Sequence, residues 1–284
     1  MRYLAPGSLK EALDILRRED DARCIAGGAT LVAMMNADLV AVEVLVGLGR
    51  IAELSGITET DDEVRIGAMT RHAEIAASPV LTGALGVVRS AAGQIAHPAV
   101  RNMGTIGGSI CHADPAADFP AALLAADATI EAASAEGTRQ IPIGEFFEDY
   151  FETALRKGEI VTASRLPRGP AGARGHHVKF SRVDGDYATV SVSAVLVMAG
   201  ATCSYARIAL GSSGPVPIRV TAAEEALIGS PLDQAAIAEA ARLLAEAADP
   251  VDDVRGTTEY RLMLIPRLLA RALNTLKDGE TASV

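Results

Sequence analysis

At 284 residues, 49% hydrophobic and 22% charged, the chain has the composition of an ordinary globular protein with room for two domains and a substantial core. Its formal net charge of −10 argues against a nucleic-acid binder, which needs a basic face. The three cysteines, Cys24, Cys111 and Cys203, lie far apart. That excludes a zinc or iron–sulfur site of local spacing and a disulfide framework, and leaves buried, inert thiols as the expectation. The N-terminus lacks the apolar core of a signal peptide, and no run of about 18 apolar residues occurs, so the expected location is the cytoplasm.

In chain order, Ser8 with Glu11 forms a capping box, and Leu9, Ala12, Leu13 and Leu16 share one face of a helix ending near Asp20. A short strand, Arg23 to Ala26, runs into Gly27-Gly28, and a short helix follows from Leu31. Strands are expected at 42–46, 57–58 and 64–68. Thr70 is expected to cap a helix over 73–77, and 79–95 reads as a further helical region with a small-residue face. Beyond Phe119-Pro120 the chain is helical again. A hairpin of 129–132 with 138–141 turns at Glu136-Gly137, 143–151 is a short helix or loop, and 159–163 is a strand. Residues 167–175, PRGPAGARG, form a flexible loop and the best candidate boundary. Three strands follow, at 176–182, 189–198 and 203–210. Helices then span 222–228, 232–248 and 260–276, the last with Leu264, Leu268 and Leu269 on one face.

Two short stretches carry candidate chemistry. Ala26-Gly27-Gly28-Ala29-Thr30 and Thr105-Ile106-Gly107-Gly108-Ser109 each combine paired glycines with hydroxyls. Glycine lets the backbone approach a ligand, and successive amides in such a turn form an anion-binding nest. Two such turns could grip a pyrophosphate from both sides; each could equally be only a tight turn. No G-x-G-x-x-G opens the chain, so a Rossmann fold is not indicated.

The stretches AGGATL, RNMGTIGGSICHADPAADFPAALLA, VKFSRVDGDYATVSVSAVL and DVRGTTEYRLMLIPRLLARAL, in that order, resemble the FAD-binding medium subunit of the molybdenum hydroxylases, a family that includes carbon monoxide dehydrogenase and subunit-split xanthine dehydrogenases. The resemblance covers essentially the whole chain. It implies an α+β fold: a vanillyl-alcohol-oxidase-type FAD-binding domain over 1–172, in subdomains of about 1–55 and 56–172, and a smaller α+β domain over 173–284.

By motif, the resemblance places FAD against Ala26, Gly27, Gly28, Ala29, Thr30, Leu31, Ile95, Thr105, Ile106, Gly107, Gly108, Ser109, Asp118, Val161 and Lys179. Asp118 would bond the flavin nucleotide, or merely cap the helix that follows it. Lys179 would lie near the isoalloxazine ring, or be a solvated strand residue. Tyr187 would stack on the flavin or pack. The pair His176-His177 reads as solvated, and neither a metal ligand set nor a catalytic acid–base pair is assigned to the chain. Ala29 stands where many relatives carry a longer polar residue, and Ser109 where Asn is common. The resemblance further implies a large subunit with molybdopterin and a small subunit with two [2Fe–2S] clusters, assembled as a dimer of heterotrimers. Electrons would pass through FAD to NAD, a quinone or another acceptor.

Overall fold

The computed structural model describes residues 1–279; residues 280–284, the end of the expected C-terminal segment, lie outside the described residues. The chain begins with β1 (Arg2–Leu4), α1 (Leu9–Arg18), β2 (Ala22–Ile25), α2 (Leu31–Asn36) and β3 (Val44–Gly47). The three strands form a parallel sheet in the order β1-β3-β2. α1 starts where expected: Ser8 Oγ accepts from Glu11 N–H at 3.2 Å. The return bond lands one residue early, because Glu11 Oε2 accepts from Gly7 N–H at 2.8 Å and not from Ser8.

The second sheet contains β4 (Ile57–Glu59), β5 (Glu63–Gly67), β6 (Thr129–Ser134), β7 (Gly137–Pro142) and β10 (Ile160–Pro167) in the order β4-β5-β10-β6-β7, all neighbours antiparallel. Between β5 and β6 lie α3 (His72–Ala76), α4 (Gly86–Gln94), α5 (Pro98–Arg101), α6 (Ile106–His112) and α7 (Asp118–Ala125). Over 143–151, expected as a short helix or loop, a 3₁₀ turn at Ile143–Glu145 leads into a small hairpin, β8 (Phe147–Asp149) with β9 (Glu152–Thr153).

β10 is bulged: Val161 faces Ala132 and Ala163 faces Glu131, which leaves Thr162 unpaired in the ladder. On its other edge the Thr162 carbonyl accepts from Ala68 N–H at 2.9 Å, continuing the register of β5 with β10, and Ala68 O in turn accepts from Gly107 N–H at 2.8 Å. The second glycine stretch is thereby tied to the sheet.

The last sheet, β11 (Arg174–Phe180), β12 (Val190–Ala199), β13 (Thr202–Gly211) and β14 (Ile218–Arg219), is antiparallel in chain order. One face packs on α8 (Thr221–Glu225), α9 (Gln234–Ala247) and α10 (Thr258–Asp278). α10 buries Leu264, Ile265, Leu268, Leu269, Leu273 and Leu276 there, and truncating one such Leu to Ala typically costs about 2–5 kcal/mol. The opposite face meets α4 and α7, so Val195 and Ala209 join the core built around the second sheet. The class is α+β, as expected.

Two helix expectations need correction. Thr70 caps nothing: its hydroxyl accepts from Gly56 N–H and donates to Gly56 O, each at 3.0 Å, and α3 starts after Arg71 without a side-chain cap. The helical region within 79–95 starts later than expected. Thr82 is extended and Gly83 takes φ +61°, so only a 3₁₀ turn at Gly83–Leu85 precedes α4.

Candidate cofactor cavity

A cavity of about 620 Å³ lies between the first sheet, the second sheet and the loop preceding β12. That falls within the usual range for small-molecule sites. β2 delivers the chain into Gly27-Gly28, and Gly28 adopts φ +77°, a conformation that suits glycine. The first intrahelical bond beyond this turn runs from Val32 N–H to Gly28 O at 3.1 Å. Among the described residues, the N–H groups of Gly28, Ala29, Thr30 and Leu31 donate to nothing. Thr30 makes no side-chain capping bond either. This run of open donors bordering the cavity suits a diphosphate.

The second glycine stretch is built differently. It is no turn but the first turn of α6, with Thr105 as N-cap accepting from Gly108 N–H at 3.2 Å. Ile106 N–H donates to Thr70 O, Gly107 N–H to Ala68 O and Ser109 N–H to Thr105 O. The amides of this helix start are thus committed to the protein. Its glycines serve close approach. A Cβ on Gly107 would lie 2.6 Å from Ala68 Cβ, whereas one on Gly108 would meet only Thr105 Oγ1 at 3.1 Å and Ala26 Cβ at 3.6 Å. The two stretches also touch: a Cβ on Gly27 would fall 1.8 Å from the Met103 carbonyl oxygen.

Of the residues that the sequence points to, Ala26, Gly27, Gly28, Ala29, Thr30, Leu31, Ile95, Thr105, Gly107, Gly108, Ser109, Asp118 and Val161 all line the cavity. Ile106 and Lys179 do not. Ile106 is fully buried in the core, on the side of α6 away from the cavity. Lys179 stands behind the wall, neither solvated nor on the cavity surface. Its Nζ donates to Asp118 Oδ2 at 2.9 Å, and its side chain is 5% exposed.

Asp118 opens α7 without capping it, which removes the bland reading of that residue. It is 5% exposed and holds two partners, Lys179 and the ring of His177, whose Nε2 is 3.0 Å from Oδ1. Burial alone would raise the carboxyl's pKa, but the hydrogen bond and charge of His177, together with the Lys179 ammonium, outweigh it and hold the group below its ordinary 3.8.

His177 is therefore no solvated residue. It is fully buried, with Nδ1 2.8 Å from Ser193 Oγ, and its backbone is clamped to α4 by Ser90 and Gln94. The signal was present in the sequence. Residues 177 and 179 are two apart on a strand and so point to the same side.

The cysteine expectation also needs correction. Cys203 is buried, but Cys24 and Cys111 both line the cavity, and Cys111 is exposed towards it. Gly108, Cys111 and His112 follow helical spacing from Thr105, which puts them on one face of α6. The cavity walls around it still desolvate the Cys111 thiol and, with Cys24 nearby, push its pKa up to about 12. Tyr187 also lines the cavity, with the Arg255 guanidinium 5.2 Å over its ring. His72 lines it as well, a residue for which the sequence carried no motif.

Comparison with known proteins matches this architecture from end to end. Residues 1–169 fit the model of the FAD binding domain in molybdopterin dehydrogenase, and residues 176–276 that of the CO dehydrogenase flavoprotein C-terminal domain. The 6-hydroxypseudooxynicotine dehydrogenase complex subunit alpha of Paenarthrobacter nicotinovorans is 38% identical over 273 residues, 95% of this chain and 92% of that protein. A chain of carbon monoxide dehydrogenase from Hydrogenophaga pseudoflava superposes with a TM-score of 0.93 at 36% identity, covering 97% of this chain and 96% of that one. A chain of quinoline 2-oxidoreductase from Pseudomonas putida 86 superposes with a TM-score of 0.92 at 33% identity, covering 98% and 97%. The open amides at Gly28–Leu31 and the glycine-walled cavity suit the cofactor named by the matched domain. With both halves matched in order, the chain belongs to the FAD-binding medium subunits of the molybdenum hydroxylases.

Proposed function

We propose that this subunit is the flavin-carrying link of a multi-subunit dehydrogenase. It would receive electrons from two [2Fe–2S] clusters on a small partner subunit and release them to NAD, a quinone or another acceptor. A large molybdopterin subunit would oxidise the organic substrate, and the whole would assemble as a dimer of heterotrimers in the cytoplasm. FAD supplies the redox chemistry, and the chain's residues bind, orient and shield it.

The observation that carries this reading is the state of Asp118. A carboxylate held by both Lys179 and His177 is a fixed wall charge, suited to placing a cofactor and unsuited to shuttling protons to an organic substrate. The P. nicotinovorans relative, named as a subunit of a dehydrogenase complex, supports the multi-subunit assembly. Among the described residues no helix is long and apolar enough to cross a membrane. We place the FAD domain at 1–172, in subdomains of about 1–55 and 56–172, and the C-terminal domain at 173–284. The core under α8–α10, drawn wholly from residues beyond 172, supports the C-terminal unit, while Val195 and Ala209 join that unit's sheet to the core of the second sheet. FAD would contact the thirteen cavity-lining residues named above, with Ile106 and Lys179 supporting them from behind.

Stopped-flow flavin spectroscopy tests the reading. The chain purified alone should bind FAD but stay oxidised with an organic substrate of the complex, and reduction should appear only when both partner subunits are added. Catalytic reduction of the lone chain by an organic substrate would replace this reading with a stand-alone FAD oxidoreductase.

A further inference from the structure

A tight turn whose ends, Asp253 and Gly256, bond to each other's backbone precedes α10. Near the start of that helix stands Arg261, 3% exposed. Its Nη1 donates to Thr189 O, to Ser212 O at 3.1 Å and to Ser212 Oγ at 2.9 Å, and its Nη2 donates to Asp253 Oδ1. One buried guanidinium thus ties the turn to the residue that leads into β12. Asp253 in turn holds Arg255: Oδ1 accepts from Arg255 N–H at 2.7 Å, and Oδ2 from Arg255 Nη1 at 3.1 Å. Thr189 Oγ1 closes the link by donating to Arg255 O at 3.3 Å.

This frame sets the Arg255 guanidinium over the ring of Tyr187, 5.2 Å from its centroid and within reach of a cation–π attraction. Tyr187 lines the cavity and is 39% exposed, whereas Arg255 is not part of the wall. The cation backs the ring from outside the cavity. Phe180, at the other end of the same loop, turns elsewhere: its ring meets that of Tyr260 edge-on at 6.0 Å, and it does not line the cavity.

An exposed tyrosine ordinarily samples several rotamers. A guanidinium fixed behind one face by Asp253 and Thr189 removes that freedom and leaves the other face open for stacking. Resting on the reading of this cavity as the FAD site, we propose that Arg255 is a positioning residue that holds Tyr187 in place to pack against the isoalloxazine of bound FAD. The isoalloxazine is the more electron-poor of the cofactor's two ring systems and so suits the face of a phenol. Because the ring is ordered before the cofactor arrives, binding loses less side-chain entropy. Arg255 acts through Tyr187 and not by touching the cofactor.

Three readouts on the full chain test this: FAD affinity, the fluorescence of the bound flavin, which a stacked phenol quenches, and the ligand-free Tm. Tyr187→Ala should weaken FAD binding about tenfold and brighten the bound flavin. Arg255→Leu should weaken binding about fivefold and brighten the flavin too, whereas Arg255→Lys, which keeps the cation, should stay within about twofold of the parent. In the Tyr187→Ala background, Arg255→Leu should change the affinity by less than about twofold, since the ring it positions is gone. A lower Tm in Arg255→Leu with parental FAD affinity and fluorescence would mark a structural role only and overturn the proposal. A loss of FAD affinity of the same size with and without Tyr187 would overturn it as well. If Arg255→Leu does not fold, parental affinity and fluorescence in Tyr187→Ala would overturn it instead. Failure of the parent chain to bind FAD would refute the assignment of the cavity itself.

Discussion

The two glycine stretches look alike as sequence and do opposite work in the fold. Ala26 to Leu31 leaves four consecutive amides open towards the cavity, whereas at Ile106 to Ser109 each amide is bound to Thr70, Ala68 or Thr105. The first is a grip and the second is a wall. Glycine at Gly28 answers a backbone conformation, and glycine at Gly107 answers a packing distance. A glycine pair flanked by hydroxyls is therefore no statement about which amides a ligand will find. That depends on where the preceding carbonyls point.

The most damaging way to break the comparison is at the point where grip meets wall. Gly27→Ala would drive its Cβ into the Met103 carbonyl. It should cost roughly 4 kcal/mol in the ligand-free chain and abolish flavin retention, as read by thermal unfolding and by the flavin absorbance of the purified protein.

Next in size is the ion pair behind the wall. Lys179→Met leaves buried Asp118 with His177 alone, and removal of one partner from such a pair typically costs about 3 kcal/mol or more. The pH dependence has a definite sign. The Asp118 pKa is depressed in the folded state, so its contribution is fully present above the ordinary carboxylate value of 3.8 and is lost as pH falls through the lower folded value. The Tm difference between the parent and Asp118→Asn should therefore hold constant from pH 7 to about 5 and shrink in stronger acid.

The sharpest contrast is between adjacent residues. Gly107→Ala pushes on Ala68 Cβ and O, and should destabilise the ligand-free chain by about 2 kcal/mol, the scale of overpacking. Gly108→Ala meets a milder contact, 3.1 Å from the Thr105 hydroxyl, which a shift of a few tenths of an ångström in that side chain relieves. It should leave the ligand-free Tm unchanged or raise it, since Ala is favoured over Gly in a helix by about 1 kcal/mol, yet weaken FAD binding about tenfold. If both variants behave alike, the distinction between packing and cofactor faces on α6 is wrong.

Much of this was legible in the sequence where a residue's neighbours are local. The Ser8 cap, the hairpin at Glu136-Gly137 and the apolar face of α10 rest on contacts a few residues apart, and all three stand in the fold. What escaped depends on long-range partners. Thr70 resembles a cap until Gly56 arrives from fourteen residues upstream. His177 resembles a solvated residue until α4 and Asp118 close over it. Cys111 resembles a core thiol until the cavity beside α6 is seen. The motifs that border the cavity stand out in the sequence, but the division of their amides into open and committed ones is tertiary information.

The bulge at Thr162 has a consequence in time. Because the Thr162 carbonyl binds Ala68 N–H, and Ala68 O binds Gly107 N–H, the wall opens only when the second sheet opens. In native-state deuterium exchange of the cofactor-free chain, the Ala68 and Gly107 amides should exchange as slowly as the centre of that sheet, while those of Gly28 to Leu31 exchange within seconds. Adding FAD should slow both sets, the second directly and the first because a ligand that binds only the folded chain raises the free energy of global unfolding. The cavity would then be half clock and half latch, with one side timed by global unfolding and the other by the cofactor's own residence.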